Sequence, residues 1–526
     1  MKNINVGKKV SLNLEDCHKV GRMSHKVSLH KDSIKYIIES NEYLLENAFE
    51  RMPIYGLNTQ FGNQVNMLDN HLTDGFNEYR KSINDRQYNL IKSHNIGLGE
   101  EISEDIVRTS IFLRAHCLSQ GYSGVRPVVI ESLLNLLNLD IHPIIKRYGS
   151  IGASGDLIPL SSIASVLIGE DVLINYQGKK TKYNKISASL KLKKVELKVR
   201  EGLALINGTS FLTAYAALSM YDLNRLFPQM LSAIAMSLES LCIIDSAYNS
   251  VVHQLKNHSG QIYINNFLNS FWKNSKLIRD LNTVRNENLE SSKMKSDFGS
   301  VKNLQDFYSL RAVPQGFGVF YENLKKATLW VEEEINSVND NPIIDVQNKS
   351  IYQGANFMGH YITEACDLIK IDIGQASTWM HAILANMVHP RKNYGLPSNL
   401  ITNPEIYNGF RPVQILTASL TVQNRKLAQS QQSFMIPTEG DNQDVNSLAV
   451  HAAYDLKEAV LNLERITAIL FLSSAQALEL RGVQNSSLSS KNIYNKIRSK
   501  SQFVNLDRDL SQDIELIVEM MRNKQI

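Results

Sequence analysis

The sequence is poor in the features that announce many protein classes. Only four cysteines occur, Cys17, Cys117, Cys242 and Cys366. They lie far apart and never as CxxC, which excludes a disulfide framework and a cysteine-rich zinc site. Proline and glycine are sparse, at 12 and 27 residues of 526, and no Pro/Gly/Ser-rich linker divides the chain. No apolar run reaches the roughly 18 residues that argue for a membrane-spanning helix. The opening Met1-Lys2-Asn3-Ile4-Asn5 lacks the apolar core of a secretory signal. A net charge of only +4 gives no electrostatic case for nucleic acid or a membrane as partner. HExxH, a Walker A loop and GxGxxG before a helix are missing, so no metal and no diffusible cofactor are expected. What remains is the expectation of a soluble, cytoplasmic protein with reduced thiols.

What is present is ordinary globular material, 43% hydrophobic and 21% charged, enough for a large core. From about residue 210 the pattern is strongly helical. Residues 211–245, 359–387 and 455–481 carry Leu, Ala and Met at helical spacing with few breakers, apolar on more than one face, which predicts a buried bundle. Strand signals are few and short. Residues 6–14 read as a small hairpin, and 172–176 and 190–199 alternate apolar and polar side chains. Residues 343–346 and 350–352 flank a tight turn at Asn348-Lys349. The fold class expected is mainly α: an N-terminal helix-and-loop region, 1–206, followed by a long helical bundle with C-terminal helices, 207–526, as one cooperative unit.

The most informative stretch is 147–161, Arg-Tyr-Gly-Ser-Ile-Gly-Ala-Ser-Gly-Asp-Leu-Ile-Pro-Leu-Ser. One reading is a glycine-rich turn before a helix, with Asp156 as N-cap. A serine nucleophile elbow, G-x-S-x-G, fails because Asp156 stands where the second glycine belongs. A third reading is backbone cyclisation. If the Gly155 amide nitrogen attacks the Ala153 carbonyl carbon, small neighbours permit the close approach. Loss of one water closes the ring, and dehydration of Ser154 leaves an exocyclic methylidene. The product, 4-methylidene-imidazol-5-one (MIO), is an electrophile that no side chain supplies.

Six further segments, in order along nearly the whole chain, carry a family resemblance. Tyr55-Gly-Leu-Asn-Thr-Gln-Phe-Gly62 resembles YGxNTGFG, and Gly202-Leu-Ala-Leu-Ile-Asn-Gly-Thr209 resembles GLALINGT. Gln305-Asp-Phe-Tyr-Ser-Leu-Arg-Ala-Val-Pro-Gln315 resembles QDxYSLRCxPQ. Asn339-Asp-Asn-Pro342, Gly354-Ala-Asn-Phe357 and Asn442-Gln-Asp-Val-Asn-Ser-Leu448 are similar to NDNP, GGNF and NQDxxSL. Together with Ala153-Ser154-Gly155-Asp156, these resemble the histidine, phenylalanine and tyrosine ammonia-lyases. The resemblance implies a lyase that eliminates ammonia from an aromatic L-amino acid through MIO formed autocatalytically from Ala153, Ser154 and Gly155. It also implies a homotetramer with shared sites.

Roles follow from chemistry and resemblance together. A base must take the β-proton, and the resemblance assigns this to Tyr55. A phenol of pKa about 10 then needs a lowered value or a nearby positive group. Arg311 suits a bidentate grip on the substrate carboxylate. Tyr308, three residues earlier, shares its helical face and resembles a second active-site tyrosine. Asn207 resembles the asparagine that orients electrophile and carboxylate, and Asn341 is implied at the substrate by NDNP. Phe357 is implied near the ring, where plain core packing is an equal reading. Glu439 and Gln443, four apart, are expected on one helical face, near amine and ring.

Two positions bear on which amino acid. Ser93-His94 resembles the selectivity pair of histidine lyases and of some tyrosine lyases, whereas phenylalanine lyases usually show Phe-Leu. Gln443 stands where histidine lyases have glutamate, and a neutral amide cannot pair with a charged imidazole. Tyrosine is therefore expected first, phenylalanine second and histidine third, with an aminomutase as an alternative. Gln60 departs from the glycine of NTGFG, which puts the conformation of that loop in question.

Overall fold

The computed structural model describes residues 3–48, 53–65, 76–293 and 304–526. Among them are nineteen α-helices and nine strands of three or four residues. The mainly α expectation holds. The longest helices are Ser210–Ser240, His360–Val388 and Ala449–Arg481, each covering most or all of a segment predicted from helical periodicity, the first stopping five residues short of residue 245. Their composition explains both helix and burial. In Ala449–Arg481, Leu463, Ile466, Ala468, Ile469, Leu470, Phe471 and Leu472 are all buried, so the helix is apolar around its circumference and belongs inside a core.

Packing divides the chain into two compact units that alternate along the sequence. The first comprises residues 1–221, 327–367 and 430–454, and the second comprises 222–326, 368–429 and 455–526. Residue 206 lies inside the first unit.

The first unit holds all nine strands, in four small sheets. Ile343–Asp345 and Ser350–Tyr352 pair antiparallel across the expected turn, and Leu173–Tyr176 is a strand. Two strand expectations are corrected. Residues 6–14 form no hairpin: Ile4–Val6 pairs parallel with Val27–Leu29, and the helix Leu14–Met23 intervenes. The reason is local. Asn13 and Asp16 form a reciprocal capping box that starts a helix where a turn was expected. Residues 192–198 form no strand either. Val195 and Leu197 are buried between exposed or half-buried neighbours, so the alternation reports one-sided burial of a chain with no pairing partner among the described residues.

Buried ion pairs fix the loops of this unit. Arg200 Nη2 lies 2.8 Å from Asp340 Oδ1, with both side chains fully buried. Arg114 donates to the Ala204 carbonyl through Nε at 2.9 Å and to Asn339 Oδ1 at 3.1 Å. Asn339 Oδ1 also accepts from the Thr209 amide at 3.3 Å. The Asn339-Asp-Asn segment is thereby locked to the end of the helix Glu201–Ile206. Removing one partner of such a pair leaves a buried charge uncompensated, at a cost of about 3–5 kcal/mol.

In the second unit, polar side chains tie the long helices at depth. Asn424 Nδ2 donates to Ser377 Oγ at 2.9 Å, and Asn462 Nδ2 to Asn424 Oδ1 at 3.0 Å. Ser237 and Ser474 hydroxyls are 2.7 Å apart. Each of these five side chains has a partner, which helps set the register of the helices.

Candidate active site

Ala153, Ser154 and Gly155 occupy a loop between the strand Lys146–Tyr148 and the helix Leu157–Leu167. Its backbone is gripped from several sides. Asn207 Nδ2 donates to the Ser154 carbonyl at 3.1 Å, Ser447 Oγ to the Gly152 carbonyl at 2.8 Å, and Ser150 Oγ to the Gly155 carbonyl at 3.3 Å. Gln443 Nε2 donates to Ser154 Oγ at 2.9 Å. Gly155 has φ +68° and lies alongside Gly208 as a parallel bridge. A Cβ at position 155 would sit 2.2 Å from the Gly208 carbonyl oxygen. Only glycine tolerates both that dihedral and that approach.

Asp156 does not cap its own helix. Its Oδ2 accepts from the amides of Phe211 and Leu212 at 3.1 and 2.8 Å, in the first turn of the helix Ser210–Ser240, and Oδ1 accepts from Ser150 Oγ at 3.2 Å. Complete burial pushes its carboxyl up to about 7, against these hydrogen bonds. Asp156 thus joins the Ala-Ser-Gly loop to the start of the long helix.

A cavity of about 410 Å³ opens over this loop, lined by Ala153, Ser154, Gly155, His94, Glu439 and Gln443 together with Thr438 and residues of 149–158. His94 ends the helix Phe76–His94. Its Nδ1 lies 2.8 Å from the Leu90 carbonyl and 3.1 Å from Ser93 Oγ. Ser93 is exposed and is not part of the lining. Glu439 and Gln443 share no helical face, which corrects the expectation. Residues 438–443 form a tight turn in which the amides and carbonyls of Thr438 and Gln443 exchange hydrogen bonds. Glu439, Gly440 and Asp441 take positive φ there, which no α-helix accommodates. The turn still brings both side chains to the cavity.

Tyr55 is half-buried, and its hydroxyl accepts from the Gly62 amide at 3.4 Å. Glu439 packs against Gly62 so closely that a Cβ there would lie 2.3 Å from Glu439 Oε1. Burial raises the Tyr55 phenol above its usual value, the Gly62 amide opposes this, and the Glu439 carboxylate raises it further. The lowered value required of a base is therefore not met by this surrounding. Gln60 takes no positive φ, unlike Gly56 and Gly62, so the loop does not need glycine at position 60.

Asn341 and Phe357 lie apart from the cavity lining. Asn341 is buried and its Oδ1 accepts from the Gly354 amide at 2.8 Å, which joins NDNP to the Gly354–Phe357 stretch. Phe357 is half-buried. Tyr308 and Arg311 belong to the second unit. They begin and end a single helical turn, and the guanidinium lies 4.8 Å from the Tyr308 ring centroid, as their spacing predicted. Tyr308 is 74% exposed, and Arg311 Nε is buried with no partner among the described residues.

Sequence reading missed Ser150, Ser447, Leu90 and Gly208. Ser447 and Gly208 lie inside resembled motifs, which was the available signal, whereas the carbonyl of Leu90 has none. Among the described residues one group has ligand atoms close enough for a metal, Glu104, Asp140 and His142. Arg108 Nη1 already supplies a cation there, 2.7 Å from Asp140 Oδ1 and 2.8 Å from His142 Nε2. Among the described residues no helix is long and apolar enough to cross a membrane.

Comparison with known proteins places the chain in a family. The family model of aromatic amino acid lyases matches residues 12–499. The chain belongs to that family and is a carbon–nitrogen lyase. A histidine ammonia-lyase of Geobacillus sp. (strain WCH70) is 32% identical over 512 residues, 97% of this chain and 95% of that protein. The structure of a tyrosine aminomutase from Streptomyces globisporus superposes with a TM-score of 0.91 at 30% identity, covering 100% of this chain and 97% of that one. A phenylalanine aminomutase of Pantoea agglomerans gives 0.91 at 27%, with 98% of each chain covered. The names of these three relatives point to three different amino acids.

Proposed function

We propose that this chain eliminates ammonia from an aromatic L-amino acid, tyrosine before phenylalanine, to give the trans-arylacrylate. The observation that carries this reading is the shared cavity of Ala153-Ser154-Gly155 with His94, Glu439 and Gln443. The electrophile forms when Gly155 N bonds to the Ala153 carbonyl carbon and that oxygen leaves as water, after which Ser154 loses its hydroxyl and Cα proton as a second water. The residues present fit it: glycine at 155 allows the approach, and Asn207 holds the Ser154 carbonyl, the oxygen that the ring keeps. When formed, the electrophile supplies a carbon that captures an electron pair and so eases departure of the amine.

The other roles belong to side chains. Tyr55 removes the β-proton. Because its phenol is raised here, it acts only once positive charge is brought beside it, which the substrate ammonium supplies. Arg311 grips the carboxylate, with Tyr308 stacked on it. Glu439 faces the amine, whereas Ser93, Asn341 and Phe357 do not line the cavity and are given no contact with the substrate. His94 selects the ring: the Leu90 carbonyl only accepts, so the neutral imidazole carries its proton on Nδ1, and Nε2 is left to accept from a phenol hydroxyl. Gln443 supplies no negative charge, which disfavours histidine. The assembly is a homotetramer with shared sites, in keeping with exposed apolar side chains on long helices such as Tyr361 and Ile415, 63% and 67% exposed.

The test is incubation with L-tyrosine, L-phenylalanine and L-histidine separately, following arylacrylate and ammonia, with Ser154→Ala as control. Product from tyrosine that the control fails to make supports the reading. Product from histidine alone, giving urocanate, refutes the weight placed on His94 and Gln443. A β-amino acid in place of free ammonia identifies a 2,3-aminomutase, the reading that the Streptomyces and Pantoea structures favour.

A further inference from the structure

The turn Tyr308–Arg311 has four residues, too short to hold itself in helical form, and its leading residue Phe307 offers no side-chain cap. Its shape comes from outside. The Tyr248 hydroxyl donates to the Leu310 carbonyl, Trp379 Nε1 donates to the Ser309 carbonyl at 2.8 Å, and Asn386 Nδ2 donates to Ser309 Oγ at 3.0 Å. The point where the chain enters the turn is fixed by one carboxylate. Asp306, 5% exposed, accepts from the Ile244 amide through Oδ2 at 2.7 Å and from the Tyr394 hydroxyl through Oδ1 at 2.5 Å. Its charge is balanced by Arg279, whose Nη2 lies 3.5 Å from Oδ1.

The groups that hold Asp306 are themselves held. The Arg279 guanidinium lies over the Tyr394 ring, 4.4 Å from its centroid, and Arg279 Nε donates to the Cys242 carbonyl at 2.5 Å. The carbonyls of Tyr394 and Asn393 accept from Arg481 at 2.7 and 2.5 Å. We infer that Asp306, through Tyr394 and Arg279, is the positioning residue that sets where Tyr308 and Arg311 present their side chains. It touches no substrate and acts through Arg311, so the inference rests on the reading of Arg311 as the carboxylate's partner.

Asp306→Asn keeps the volume but leaves one oxygen to accept from two donors. The readout is the ratio of two affinities: that for the amino acid turned over, and that for the arylethylamine with the same ring (tyramine, phenethylamine or histamine), which lacks the carboxylate. Asp306→Asn is expected to weaken amino-acid binding about tenfold, the equivalent of one hydrogen bond, and to leave arylethylamine inhibition unchanged. Tyr394→Phe, which removes only the hydroxyl, shifts the same ratio in the same direction by less. Arg311→Gln is measured alongside. If Arg311→Gln leaves the ratio unaltered, the reading of Arg311 is wrong. If Arg311→Gln changes the ratio while Asp306→Asn and Tyr394→Phe do not, the positioning role of Asp306 is overturned. Should Asp306→Asn fail to fold, Tyr394→Phe decides alone.

Discussion

The side-chain amide of Gln443 donates to Ser154 Oγ at 2.9 Å, so position 443 faces the centre of the proposed electrophile. A glutamate there cannot donate and instead brings a negative charge, which pairs with an imidazole ring. Gln443→Glu is therefore expected to raise the ratio of histidine to tyrosine turnover. A charge-assisted hydrogen bond contributes about 1.5–3 kcal/mol, so the ratio of kcat/KM values should move about 10- to 150-fold. Parallel assays of urocanate and hydroxycinnamate measure it. An unmoved ratio removes residue 443 from selectivity.

His94→Phe tests the acceptor that the Leu90 carbonyl leaves on Nε2. Without it a phenol hydroxyl enters the cavity unpaired, at a cost of about 1–3 kcal/mol. Turnover of tyrosine is expected to fall about 5- to 150-fold in kcat/KM, and that of phenylalanine to persist. Equal losses on both substrates would show that His94 shapes the cavity without reading the hydroxyl.

The phenol of Tyr55 is raised by burial and by Glu439, and as a base it must be deprotonated. Activity then climbs with pH along an alkaline limb. Removing the Glu439 charge lowers the Tyr55 pKa, so Glu439→Gln should move that limb of the kcat/KM profile to lower pH, even where the maximum rate falls. A limb that stays in place, or moves upward, separates Glu439 from the proton step.

Much of this was legible in the sequence, for physical reasons that differ by residue. The long helices announced themselves because Leu, Ala and Met recur at helical spacing over three segments. The Ser154 loop was legible because its chemistry demands glycine on one side and a small residue on the other. Periodicity failed at 438–443, where three consecutive positive φ angles turn the chain more sharply than any helix would. It failed at 190–199 because alternation cannot say whether a partner strand exists. The state of Tyr55 was hidden because burial and the approach of Glu439 to Gly62 join residues far apart in sequence. The anchor on His94 was hidden because a backbone carbonyl leaves no mark on composition.

A last prediction concerns acid. His142 Nε2 accepts from Arg108 at 2.8 Å, and Nδ1 lies 3.3 Å from Glu104 Oε1. Burial, with the neighbouring Arg108 charge, pushes His142 down to about 3, and burial pushes His116 down to about 4. Unfolded, each would titrate near 6.5. Between these values the unfolded chain binds a proton that the folded chain refuses, so stability rises with pH and is lost as pH falls from about 6.5. Each histidine contributes a slope of about 1.4 kcal/mol per pH unit. His142→Gln keeps an acceptor for Arg108 and removes one titrating group, so it should remove about 2 kcal/mol of the difference in stability between pH 5 and pH 7, measured by chemical denaturation at those two values. An unchanged slope would mean that His142 takes up its proton in the folded protein, with Arg108 displaced from its ring nitrogen.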